Sequence, residues 1–98
     1  MIIRLVRMHF SAETSAKFLE IFEEMNQHIR AFEGCRGLEL YREVDDAQSF
    51  TTYSLWESHE HLEVYRKSDL FKSTWSKVKP LMRAKPSAVS YERLYPKD

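Results

Sequence analysis

The chain has 98 residues, 43% of them hydrophobic and 31% charged, with 15 basic residues against 15 acidic ones and a formal net charge of zero. That length accommodates one domain, residues 1–98, with a modest core and no room for a second. Balanced charge removes any global electrostatic argument for nucleic acid or an anionic membrane, and a single cysteine, Cys35, can build neither an intramolecular disulfide nor a multi-cysteine metal site.

Met1 to Arg7 is too short and too charged for a secretory apolar segment, and no apolar run approaches membrane-span length, so a soluble, cytoplasmic protein is expected. Ile2 to Phe10 reads as a β-branched-rich strand, with Ile3 and Leu5 on one side and Ile2, Val6, Met8 and Phe10 on the other. Ser11 followed by Glu13 marks the start of a helix whose apolar stripe is Phe18, Ile21, Phe22, Met25, Ile29 and Phe32, and Gly34 stops it. Leu38, Leu40 and Arg42 alternate with Glu39, Tyr41 and Glu43 in a second strand, closed by the turn-prone Asp45-Asp46. Phe50 to Trp56 returns as a third, putting Phe50, Thr52, Ser54 and Trp56 on one face and Thr51, Tyr53 and Leu55 on the other.

Ser58 is a good N-cap, and Leu62 and Tyr65 then follow at a spacing of three, so the third strand passes almost directly into an amphipathic helix. Ser68-Asp69 caps another short helix carrying Phe71, Trp75 and Val78; Pro80 and Pro86 punctuate the way to a last strand, Ala88 to Tyr95. The order strand, helix, strand, strand, helix, strand is the split-βαβ, ferredoxin-like βαββαβ arrangement of an α+β protein, an antiparallel sheet with its helices on one face. Both faces of the first strand are apolar but only one has helices to cover it. A symmetric partner presenting its own sheet is therefore expected, a homodimer with a cavity between or beside the two sheets.

With Trp56-Glu57-Ser58 ending a strand, then Leu62, Tyr65, Ser68 and Phe71, and with Glu33-Gly34-Cys35 leading into the second strand, the chain resembles the antibiotic biosynthesis monooxygenase family over nearly its whole length. The resemblance implies a dimeric α+β barrel. It also implies kinship with small oxygenases that act on quinol- and anthrone-like aromatics without metal or flavin, with heme-degrading enzymes, and with proteins that have no assigned chemistry. The heme-degrading branch places an Asn on the first strand, a Trp at the end of the third and a heme-ligating His on the following helix. Only the Trp carries over, as Trp56. The Asn position falls at Val6 or Arg7 and the His position at Trp75, whose indole N–H cannot ligate iron, so heme degradation is disfavoured.

These features lead to an expected monooxygenase of that type, oxygenating a small planar aromatic with O2 and using no cofactor and no metal. The alternative is a non-catalytic dimer of the same fold that binds a small hydrophobic molecule. Catalytic candidates are Trp56, whose indole N–H can donate to a developing oxyanion, and His28, at the edge of the first helix's stripe; His9, Tyr53 and Tyr91 are further candidate bases. Val6, Met8, Thr52, Ser54, Trp56, Phe71 and Trp75 are expected to contact the aromatic ligand. His59 and His61, two apart at a helix start, point apart and make no metal pair, and Cys35 lacks a nucleophile's partners. Between Arg66 and Lys85 the bases Arg66, Lys67, Lys72, Lys77, Lys79, Arg83 and Lys85 face the single acid Asp69, a solvated helix face or a strip for an anionic partner.

Overall fold

Each run of alternating side chains forms a strand and each capped apolar stripe a helix. In the computed structural model, which describes residues 1–97, the order is β1 Ile2–His9, α1 Ala12–Arg30, β2 Cys35–Arg42, β3 Ser49–Trp56, α2 His59–Arg66, α3 Asp69–Val78, a 3₁₀ turn Lys79–Leu81, and β4 Ser87–Glu92. Asp98, the last residue of the expected domain, lies outside the described residues. The strands form one antiparallel sheet in the order β2-β3-β1-β4, the ferredoxin-like order, as expected.

The helix starts follow from side-chain oxygens that occupy orphan backbone donors. Ser11 caps α1 in a reciprocal capping box whose second member is Thr14. The Ser58 and Ser68 hydroxyls accept from the backbone N–H groups of His61 and Phe71 to start α2 and α3. In the β2–β3 hairpin the Asp46 carboxylate accepts from the Gln48 backbone and the Ser49 hydroxyl. Gly34, at φ 90°, turns the chain from α1 into β2 in the left-handed region where other residues are strained.

Strand limits differ from the sequence-based expectation by one residue in several places and more informatively in others. The first strand stops at His9, because Phe10 turns its amide to Gln48 and makes only an isolated bridge with Met82. β2 starts earlier, at Cys35, through an irregularity between Cys35 and Gly37. β4 ends at Glu92 and not at Tyr95: Glu92 faces Ile2, the first residue of β1, and beyond that pair the Arg93 amide still donates to the Met1 carbonyl at 3.0 Å but the ladder goes no further.

Register fixes what the helix-covered face presents. Across the sheet, Arg42, Phe50 and Met8 form one row, Leu40, Thr52, Val6 and Ala88 the next, and Leu38, Ser54, Arg4 and Ser90 a third. The large residues lie at one end, where Phe10 stacks on Phe18 at 4.4 Å and both meet Phe50, with Met8, Ile21 and Val78 closing the core. The middle rows carry the smaller Val6, Ala88, Thr52 and Ser54 beside Leu40, Leu38 and Arg4. A space is left there between the sheet and the helices.

Candidate functional site

That space is a cavity of about 270 Å³. It lies between the sheet and the helices of one chain. Val6, Met8, Thr52, Ser54, Trp56, Phe71 and Trp75 all line it, together with Arg4, Leu38, Tyr65, Arg66 and apolar residues of α1. Pockets for small ligands commonly measure ~300–1,000 Å³, so this one suits a ligand of two or three small rings.

One wall is a run of aromatic rings from the end of β3 to α3. Trp56 stacks on Tyr65 with centroids 4.8 Å apart, Tyr65 meets Phe71 edge-on at 5.3 Å, and Phe71 stacks on Trp75 at 6.2 Å. Phe32 backs both Trp56 and Tyr65 edge-on. The α2 spacing that lets Leu62 and Tyr65 share a face puts the phenol ring over the indole that ends the preceding strand. Such a wall offers flat faces to a planar molecule at little entropic cost.

The polar chemistry of the cavity differs from the expectation for Trp56. Trp56 is 0% exposed, and its indole N–H donates to the Ser54 hydroxyl oxygen at 2.9 Å. An indole nitrogen can only donate, so Ser54 Oγ is the acceptor and its own hydrogen remains available. The group positioned to donate to a ligand oxygen is Ser54, with Trp56 behind it. Tyr65 contributes a phenol that burial holds neutral, its pKa pushed up to about 12 with a further push from the neighbouring Cys35. It is thus a donor at neutral pH and not a base.

None of the candidate bases borders this space. His28 is exposed on α1 and outside the cavity lining. His9, on the opposite sheet face, donates from Nδ1 to Ser49 Oγ at 2.6 Å; Ser49 in turn donates to Asp46, and an ion pair of Asp46 with Arg83 at 3.5 Å completes a structural chain. Tyr53 and Tyr91 face the same side as His9, the side without helices. Cys35 is half-buried, donates to the Gly37 carbonyl, and burial pushes its thiol up, away from a reactive thiolate. His61 holds Ser58 at 2.7 Å, and among the described residues no three His, Cys, Asp or Glu side chains are grouped as a metal site.

Trp75, at the position matching the heme branch's ligand, lies against Phe71 as part of the aromatic wall, and no imidazole borders the cavity. The lining does not fit a histidine-ligated heme. Of the two positions matching that branch's Asn, Val6 lines the cavity, while Arg7 points to the other face and pairs with Glu43 at 2.5 Å.

Arg4, Tyr65 and Arg66 are among the lining residues that the ligand contacts expected from sequence did not include. Period-2 counting along β1 from Val6 and Met8 reaches Arg4, and the i, i+3 spacing from Leu62 reaches Tyr65. Arg66, four residues on from Leu62 in the last turn of α2, falls on that same helix face.

The family profile described as antibiotic biosynthesis monooxygenase matches residues 1–76. The chain belongs to the antibiotic biosynthesis monooxygenase family. Three solved structures share this fold at low sequence identity. One antibiotic biosynthesis monooxygenase is 15% identical and superposes with a TM-score of 0.87 over 96% of this chain and 99% of that one. A conserved protein from Methanosarcina mazei Go1 is 19% identical with a TM-score of 0.88, over 95% of this chain and 93% of that one. The protein Rv0793 from Mycobacterium tuberculosis is 18% identical with a TM-score of 0.89, over 99% and 98%. At these identities the likeness concerns the fold of this antibiotic biosynthesis monooxygenase family member, and its chemistry has to be argued from its own cavity. No match is found among curated proteins.

Proposed function

We propose that this protein is a monooxygenase that oxygenates a small planar aromatic, quinol- or anthrone-like, with O2 and without metal or flavin. The observation that carries the reading is the cavity itself: a stack of rings from Trp56 to Trp75 facing a single aligned hydroxyl, Ser54. For an anthrone-type substrate the balance is simple. Two C–H bonds of the ring methylene break, one oxygen atom of O2 becomes the new carbonyl, and the other leaves as water with the two hydrogens. The electron-rich ring supplies the electrons. The protein's part is to hold the ring flat, exclude water and donate a hydrogen bond to oxygen that becomes negative during the reaction. Ser54, oriented by Trp56, is the donor; Tyr65 keeps the ring stack ordered.

A specific observation favours the second reading, a binding protein that does no chemistry: among the described residues no carboxylate or imidazole borders the cavity, so none of them offers a side-chain acceptor for proton removal there. Oxygen uptake by the metal-free protein with a panel of anthrones and quinols separates the two. Uptake that needs the protein and falls by roughly ten-fold or more in Ser54→Ala supports the oxygenase, the usual range for loss of one oxyanion donor being 10²–10³. Panel members that bind without any uptake support the binding protein.

The functional unit is proposed to be a homodimer formed through the helix-free sheet face. On that face Leu55, Ile3 and Tyr91 form one row and Tyr53, Leu5 and Val89 the next, with Val89 46% and Tyr91 49% exposed. Two adjoining apolar rows on an open sheet face suit a second copy of the same face.

A further inference from the structure

The cavity is apolar except at the end nearest Trp56, where it holds two guanidinium groups, Arg4 and Arg66. Arg4 lies on β1 in the row of Ser54 and Ser90, directly opposite Ser54 on one side and Ser90 on the other. Its side chain donates to Ser90 Oγ at 2.9 Å, and among the described residues no carboxylate is in ion-pair contact with it. Arg66 is paired with Glu63 at 3.0 Å within its own helix. Two cations and one acid leave one positive charge unmatched, on the half-buried group that faces the apolar space. Burial lowers the Arg4 pKa, the like charge of Arg66 lowers it further, and Glu63 only partly offsets both. A guanidinium does not shed its proton under such pressure, so Arg4 stays charged beside an apolar space.

We propose that the cavity takes an aromatic carboxylate, with its rings on the Trp56–Trp75 wall and its carboxylate held by Arg4 beside Ser54. The planar fork of a guanidinium matches the two oxygens of a carboxylate, and the bond to Ser90 uses only one of its five N–H groups. Arg66 adds long-range attraction at the mouth, moderated by Glu63. The inference rests on the reading of this cavity as a ligand site and is independent of oxygenation.

The test is isothermal titration calorimetry of the full chain with 2-naphthoate and its neutral isostere 2-naphthamide, on wild type, Arg4→Gln and Arg4→Lys. Wild type is expected to prefer the carboxylate by roughly 10–100-fold, the worth of a charge-assisted hydrogen bond. Arg4→Gln should bind both compounds alike, and Arg4→Lys should keep part of the preference because the charge stays while the fork is lost. The wild-type comparison needs no variant and stands even if a substitution impairs folding. Equal affinity of wild type for the two compounds overturns the carboxylate site and leaves the cavity as a ligand site. A preference that survives in Arg4→Gln overturns the assignment to Arg4. Binding of neither compound overturns both the carboxylate site and the ligand reading of the cavity.

Discussion

Ser54 and Trp56 show how two residues of one strand face divide a task. Both point to the helix side because they are two apart, and the larger one donates its N–H to the smaller. Spacing alone suggests that Trp56→Ala should damage ligand binding more than stability. Full burial against Tyr65 and Phe32 changes that balance, and the truncation is expected to cost about 3–5 kcal/mol of stability as well, measured by urea unfolding. Ser54→Ala should weaken turnover or ligand affinity about ten-fold and, because it strips the buried Trp56 N–H of its acceptor, lower stability by about 1–3 kcal/mol, less than the Trp56 truncation. Tyr65 supplies a pH signature. Its ordinary pKa of 10.0 is pushed up to about 12 in the fold, so between those values the unfolded chain releases a proton that the folded chain retains. The stability contributed is fully present below pH 10 and is lost as pH rises towards 12. Tyr65→Phe should flatten that part of the stability profile; an unchanged slope would assign it to other groups.

At the level of elements, the junctions carry the specificity. Three serines start three helices, and each was legible because a hydroxyl before an amphipathic run has one dominant use. The strand ends were less legible, since a strand stops where its neighbour stops, and that is a property of pairing. Arg93 to Tyr95 continues the alternation of β4 in sequence, yet the ladder with β1 ends at Ile2, followed by one last bond from the Arg93 amide to the Met1 carbonyl. Gly34 joins α1, β2 and α2 at one point. Its φ of 90° and the His61 side chain, which a Cβ built there would overlap, both exclude a larger residue. Gly34→Ala is expected to lower stability by about 2 kcal/mol or more, read from the urea midpoint. A loss under about 0.5 kcal/mol would mean that His61 simply swings away.

For the whole molecule, the open sheet face decides the assembly. Leaving its apolar side chains in water forgoes about 1.5–3 kcal/mol for each one that a partner would bury completely. Light scattering at micromolar concentration is expected to give the mass of a dimer, and Leu5→Glu, which places a charge between Tyr53 and Val89, should give a monomer. A wild-type monomer at that concentration would refute the dimer while leaving the cavity intact, because the cavity lies within one chain.

The sequence by itself determined the element types, their order and the two faces of each strand, because period-2 and helical spacing are properties of neighbours along the chain. It also brought together seven residues that line one cavity, since strand face and helix stripe are both readable from spacing. Only the tertiary structure decided where the cavity lies and what chemistry it holds. Register across three strands set small residues side by side and opened the space. The same register placed Arg4 opposite Ser54, turned the Trp56 N–H onto Ser54, and left His28 outside. Those outcomes depend on distances between residues far apart in sequence, on which spacing along the chain carries no information.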